Sequence, residues 1–374
     1  MPFSELINLR HLLHQSPEIA GEESATAEKI LAFFSTLNPD QTIQNLGGNG
    51  LAFVFKGVNP GPRCLFRAEL DALPIQETGD PSYKSKTEGK AHLCGHDGHM
   101  TIICGLGKKL ASQRPESGEV VLLFQPAEET GEGARRILDD AKFQQIKPDF
   151  AFALHNLPGF PLHQIVVREG TFAAGSTGLT ISLTGKTSHA AHPDAGINPA
   201  LAIAKLIESL PKLPEKLKNF ALVTVIHAEL GSLAFGTSAG KGSLSLTIRA
   251  FDQPDLESLI EMIKAEASKV ASAEKLGCEF NLVESFAVSK NDPQPAEIAE
   301  GVLKKLGLDI TKKEEPFRWS EDFGLFSQSC PSYLFGLGSG VNCPQLHEPT
   351  YDFPDELIET GVKVFEGIAR KVNG

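Results

Sequence analysis

Apolar residues at the start of the chain recur every three to four positions. Leu6, Leu9, Leu12 and Leu13 precede Ser16-Pro17, and Ala27, Ile30, Leu31 and Phe34 share one face of a helix expected over residues 24–37. Beyond them the pattern shortens to runs that predict strands over 51–55, 64–68, 120–124 and 150–154, with a helix over 100–110 between the two pairs. Val120-Val121-Leu122-Leu123-Phe124 is apolar without alternation, as a strand covered on both faces of an α/β layer must be.

From about residue 171 the order changes to strand 178–183, helix 198–210, strands 221–228 and 243–249, helix 256–271 and strand 278–283. This βαββαβ order is that of a ferredoxin-like unit, complete in about 110 residues. After Asn291-Asp292-Pro293 come a helix over 296–306, an apolar segment at 333–337 and a closing helix over 355–371. The expected fold is therefore α/β: a sheet domain from residues 1–171 and 287–374, with a ferredoxin-like domain, 172–286, inserted into it.

The chain's 374 residues suffice for two such cores. Lys+Arg 35 against Asp+Glu 47 gives a net charge of −12, which repels nucleic acid and anionic membranes, so neither is expected as a partner. Six cysteines follow no framework spacing, as in a reducing cytoplasm. Met-Pro-Phe-Ser-Glu lacks the basic flank and apolar core of a secretory signal, and no apolar run reaches the roughly 18 residues of a membrane span. A soluble, cytoplasmic protein is the expectation.

The densest chemistry lies in Leu93-Cys-Gly-His-Asp-Gly-His99. Cys94 and His96, two apart, point to one side if the segment is extended, and Gly95 and Gly98 let the backbone come close to what they hold. Thiolate plus imidazole favours zinc or another borderline-soft divalent ion over calcium or magnesium. The competing reading is a redox thiol beside unrelated histidines, against which the missing Cys-x-x-Cys partner argues. Glu69 and Asp71 follow one predicted strand, Glu128 and Glu129 a second and His155 a third. Ligands of open α/β sheets bind at the carboxyl ends of strands, so these residues can converge with Cys94 and His96. Adjacent Glu128 and Glu129 point in different directions, which lets one ligate a metal while the other acts as general base. Alone, such a pair is usually a solvated loop face, although its place after a buried strand favours chemistry, and His155 and His347 equally suit hydrogen-bonded turns. His11, His14, His163 and His227 have no ligand context and read as structural or surface residues.

Taken in order, the motifs resemble the metal-dependent amidohydrolases that include hippurate hydrolase, N-acyl-amino-acid amidohydrolases, auxin-conjugate hydrolases and N-acetyldiaminopimelate deacetylase, relatives of aminoacylase and carboxypeptidase. The resemblance runs nearly end to end. It is carried by Arg10-x-x-Leu-His14-x-x-Pro-Glu18, Arg67-Ala-Glu-Leu-Asp71-Ala-Leu-Pro74, Cys94-Gly-His-Asp-Gly-His99, Phe124-Gln-Pro-Ala-Glu-Glu129, Leu154-His-Asn156, Ser188-His-Ala-Ala191, Ser320-Glu-Asp-Phe323, Leu346-His-Glu-Pro349 and Tyr351-Asp-Phe353.

The resemblance implies two divalent metal ions (Zn, Mn, Co or Ni) held by Cys94, His96, Glu129, His155 and His347, with Glu128 as general base and Asp71 orienting a ligand histidine. It implies that the inserted domain is a lid, that its His189 helps stabilise the oxyanion and in dimeric relatives reaches the other subunit's site, and that a homodimer forms through it. Arg249 matches the arginine that grips the α-carboxylate of the released amino acid. Two positions depart from the family: Glu69 replaces an aspartate, and Gly236-Thr-Ser-Ala239 stands thirteen residues before Arg249 in place of Asn-Val-Ile-Pro. The implied activity is hydrolysis of the amide of an N-acyl amino acid or short peptide, by a water that the metal centre activates and Glu128 deprotonates. A dipeptidase or carboxypeptidase shares that chemistry; a non-catalytic metal-binding relative would have lost the base or a ligand, and none is missing.

Overall fold

Residues 3–374 are described by a computed structural model, which divides them into two units. The first contains the chain up to Phe172 together with Ser289–Pro316 and Asp322–Gly374; the second is Ala173–Val288 with Phe317–Glu321.

In the first unit the apolar runs pair into an eight-stranded sheet. Its centre is Ser117–Gln125, Asn59–Glu69, Phe150–Pro158 and Ser332–Gly340, neighbours that all run parallel. Their interior residues are buried, which explains why Val120–Phe124 shows no alternation. Gly50–Lys56 and Gln41–Leu46 extend one side as antiparallel strands, the second of them without a sequence forecast. Ile165–Val167 and Ile310–Lys312 extend the other; three-residue strands carry too little pattern to read. Helices Ser4–His14, His96–Ser112, Pro293–Lys305 and Leu357–Asn373 bury Leu6, Ile102, Leu106, Leu303, Val362 and Phe365 in one core with Phe66 and Leu122.

Several forecast element ends move by a few residues, and two of the shifts change the placing of candidate site residues. The helix begins at His96 rather than residue 100, so Cys94 and His96 do not lie on an extended segment. Gly95, at φ +92°, turns the chain into the helix in a left-handed conformation that side chains resist. The strand expected to stop at residue 154 continues to Pro158, so His155 lies inside it, opposite Gly336 of Ser332–Gly340.

The second unit is a four-stranded antiparallel sheet in the order Ala221–Leu230, Lys241–Ala250, Gly175–Thr184, Gly277–Phe286. Helices Ala200–Ser209 and Gln253–Ala273 pack Ile203, Leu206, Leu259 and Ile263 against Leu179, Ile181, Leu244 and Leu246. Residues 317–321, which the sequence boundaries leave with the first unit, belong here. Ala174 donates its N–H to the Phe317 carbonyl at 2.9 Å, and Arg249 Nη1 donates to the Arg318 carbonyl at 2.9 Å.

Candidate active site

Cys94, His96, Glu129, His155 and His347 come together in the first unit. The ligand atoms of Cys94, His96 and His155 lie within 4.8 Å of one another, as do those of Cys94, Glu129 and His347, and those of His96, Glu128 and Glu129. Cys94 Sγ is 3.6 Å from His155 Nε2, and the Glu129 oxygens stand 3.8 Å from His96 Nε2 and 3.8 Å from His347 Nε2. The two triads that share Cys94 provide two overlapping donor sets.

Each imidazole is turned by its other nitrogen or its backbone. His96 Nδ1 donates to the Asp71 carbonyl at 2.8 Å, and among the described residues its buried Nε2 has no hydrogen-bond partner. His155 Nδ1 donates to the Asn156 carbonyl at 2.9 Å, which turns Nε2 toward Cys94. His347 takes a left-handed backbone, φ +68°, rare for a side-chain-bearing residue, and its N–H bonds the Leu93 carbonyl at 2.8 Å. Burial lowers the pKa of His96 and of His347, keeping both neutral, the form in which imidazole ligates. A buried thiol, neutral imidazoles and a carboxylate facing one another, with one lone pair left without a donor, fit a borderline-soft divalent metal.

Glu128 stands beside this set, buried, and its Oε1 accepts the Asp322 N–H at 3.3 Å. Ala127, with φ +51°, and Gly133, whose N–H bonds the Ala127 carbonyl at 3.0 Å, fold the turn that presents Glu128 and Glu129 in different directions.

The Asp71 carboxylate has a different contact from the one its motif implies. Its Oδ2 accepts the Glu129 N–H at 2.9 Å, while Oδ1 is 3.7 Å from His96 Nδ1, and it is the Asp71 carbonyl that holds that nitrogen. Burial pushes its carboxyl up to about 8. Glu69, one methylene longer than aspartate, reaches both His99 Nδ1, at 2.8 Å from Oε2, and Arg67. Burial alone would raise its pKa, but Arg67 and the neighbouring histidines hold it well below the usual carboxylate range. His99 closes the motif at residues 93–99, whose side chains can hold or orient a metal. It accepts the Asn156 N–H on Nε2 at 3.2 Å, so both its nitrogens are engaged while its ring lies 4.9 Å from that of His155. It stands beside His96 and His155, and its ligand atom also groups with those of Glu69 and His96 within 4.8 Å; it lies three residues after His96, one helical turn on.

These features match known proteins along the whole chain. Residues 65–371 fit the model of Peptidase family M20/M25/M40. The chain belongs to this family. It is 29% identical over 371 residues to N-acetyldiaminopimelate deacetylase of Lactobacillus acidophilus, covering 97% of this chain and 96% of that protein. It is 28% identical over 372 residues to hippurate hydrolase of Campylobacter jejuni, covering 98% and 96%. A Bacillus subtilis crystal structure, described as a dinuclear metal-binding peptidase from the M20 family, superposes with a TM-score of 0.84 at 26% identity, covering 98% of this chain and 97% of that one. The M20 architecture, a catalytic domain with an inserted domain, is the one seen here.

The remaining site candidates lie in the second unit of this M20 chain. His189 is exposed, and its Nδ1 accepts the Ala191 N–H at 3.0 Å, which leaves the proton on Nε2. Residues 188–189 pair with 237–238, and the Ala190 N–H bonds the Gly236 carbonyl at 2.9 Å, so Gly236 and His189 sit on one small ribbon. A side chain at Gly236 would meet nothing within 4 Å. Arg249 is not a salt-bridge partner on a sheet edge. It lies on the strand Lys241–Ala250, flanked on both sides, donates to the Arg318 carbonyl and to Ser320 Oγ at 3.0 Å, and has no carboxylate partner among the described residues. Burial accordingly lowers its pKa.

Proposed function

We propose that this M20 protein hydrolyses a linear amide bond, releasing an amino acid from an N-acyl or N-aminoacyl conjugate, and that Cys94, His96, Glu129, His155 and His347 hold two divalent metal ions. The observation that carries the reading is the convergence of these residues beside a carboxylate, Glu128, anchored separately from them. The donor chemistry favours Zn, Mn, Co or Ni over harder ions, and the names of the M20 relatives above supply the substrate class. When bound, the metals supply Lewis acidity to the amide carbonyl and to the attacking water.

Glu128 takes the proton of the water as its oxygen attacks the carbonyl carbon, and returns it to the departing nitrogen as the C–N bond breaks. Asp71, through its hold on the Glu129 N–H and through its own carbonyl, keeps Glu129 and His96 in place. His189 donates from Nε2 to the developing oxyanion, Arg249 receives the α-carboxylate, and Gly236 leaves room for a bulky group beside it. A guanidinium partly desolvated and, among the described residues, without a carboxylate partner supports the Arg249 assignment.

We infer a homodimer through the inserted domain, supported by exposed Leu222, Ile226 and Leu230 on the edge strand Ala221–Leu230; a monomeric mass by light scattering would remove it. A cytoplasmic location is supported by six free cysteines, none paired.

The deciding experiment is turnover of N-acetyl and N-benzoyl amino acids against dipeptides after metal reconstitution. Release of amino acid from the N-acyl substrates is expected; turnover of dipeptides alone makes the protein an exopeptidase, and no turnover of either removes the reading.

A further inference from the structure

Arg10 is fully buried, yet it collects carboxylates from two stretches of chain far apart in sequence. Its Nη1 donates to Asp97 Oδ2 at 3.1 Å and to Asp352 Oδ1 at 2.9 Å, its Nε donates to Asp355 Oδ1, and its guanidinium lies 4.6 Å from the centre of the Tyr83 ring. Tyr83 in turn donates its hydroxyl proton to Asp352 Oδ2 at 2.6 Å. Asp97 is the residue after His96, in the first turn of the helix His96–Ser112. Asp352 and Asp355 belong to the segment that leads from His347 to the closing helix.

The two donor sets that share Cys94 are unequally supported. His155 lies inside a strand and His96 in a helix, both braced by neighbouring backbone. His347 sits on a loop, with 50% of its side chain exposed and a left-handed backbone. Removing the guanidinium leaves Asp97, Asp352 and Asp355 facing one another without their shared cation. His14 Nδ1 stays 2.9 Å from Asp97 and His11 Nε2 2.9 Å from Asp355, but each touches one side only, so the loop loses the group that touches both sides and is loosened from the helix.

We propose that Arg10 is a positioning residue that clasps the His347 loop to the first turn of the motif helix, and so controls the metal position that His347 completes while leaving the Cys94–His96–His155 position unaffected. The proposal rests on the two-metal reading above. Arg10 never touches substrate; it acts through His347.

The test is titration of metal-free protein with Zn²⁺ against a chromophoric chelator, for the wild type, Asp352→Asn, Arg10→Lys, Arg10→Met and His347→Ala, with folding followed by circular dichroism. Asp352→Asn is the decisive variant, because it takes the charge from one arm of the clasp at a residue that is 32% exposed, where folding is least at risk. The wild type should bind two ions. Asp352→Asn and Arg10→Lys should bind one as tightly as the wild type and the other about 10- to 100-fold more weakly, the usual range when the support of a ligand is lost. His347→Ala should give the same one-sided pattern. Equal weakening of both ions, or wild-type binding of both by Asp352→Asn, overturns the clasp alone. Binding of fewer than two ions by the wild type overturns the metal reading and the clasp with it.

Discussion

Asp322 holds Glu128 by its backbone N–H at 3.3 Å while its own carboxylate accepts Arg67 Nη2 at 2.6 Å and Gln125 Nε2 at 2.7 Å. Glu128 is thus oriented from a buried, charge-compensated anchor, Asp322, that is not one of the five candidate ligands. Glu128→Gln removes the proton acceptor and keeps the shape. It should retain metal and lower kcat about 10²- to 10⁴-fold, read by metal analysis and steady-state kinetics. A metal-loaded variant turning over at near wild-type rate would mean that another group is the base.

Cys94 belongs to both donor sets, 3.6 Å from His155 Nε2. A serine hydroxyl stays protonated at neutral pH where a coordinated thiol does not, so Cys94→Ser should weaken both ions. An unchanged metal-to-protein ratio after dialysis against a mild chelator would remove Cys94 from the ligands.

A Cβ on Gly95 would stand 2.6 Å from Asn156 Oδ1, at a φ of +92°. Gly95→Ala should therefore lose about 1–3 kcal/mol of stability. Gly301, inside the helix Pro293–Lys305 with open space around it, is the control, and Gly301→Ala should gain about 0.5–1 kcal/mol. Urea denaturation measures both; equal effects would show that the turn into the motif helix tolerates a side chain.

His14 Nδ1 donates to Asp97 Oδ2 at 2.9 Å and Nε2 to Glu77 Oε1 at 3.3 Å. Burial opposes its charge, but the two carboxylates prevail and raise its pKa to about 9. A raised pKa in the folded state means that the imidazolium's contribution is complete below the unfolded value, near 6.5, and disappears as pH climbs through about 9. The stability advantage of wild type over His14→Gln should accordingly shrink between pH 6.5 and 9. A constant difference across that window would show that His14 is neutral.

Arg249 has hydroxyl and carbonyl partners but no carboxylate among the described residues. Arg249→Ala should cost on the order of 2–5 kcal/mol in kcat/KM for an N-acyl amino acid, and far less for the corresponding amide, which has no charge to pair. Equal losses on the two substrates would show that Arg249 does not read the carboxylate.

Local pattern was enough to place the longer central strands, the βαββαβ order and the long helices, because burial on one or both faces imposes its period on neighbouring residues; Gln41–Leu46, Ile165–Val167 and Ile310–Lys312 were not legible in this way. It singled out Cys94 and His96 by their density, whereas Glu128, Glu129, His155 and His347, each of which also suits a loop or turn, came in through the resemblance of the ordered motifs to a known family. Three features depended on contacts across the fold. The helix starts at His96 because Gly95 can turn left-handed against Asn156, a neighbour sixty-one positions away. Arg249 could be assigned to a flanked strand only once the sheet order was known, since an apolar strand that ends in arginine reads the same at an edge or in the middle. Arg10, Asp97 and Asp352 gave no sign of their partnership, because an ion pair spanning 342 positions leaves no periodicity in either segment. Sequence records what each segment must bury; which charges then meet is decided by the packing of segments that are distant along the chain.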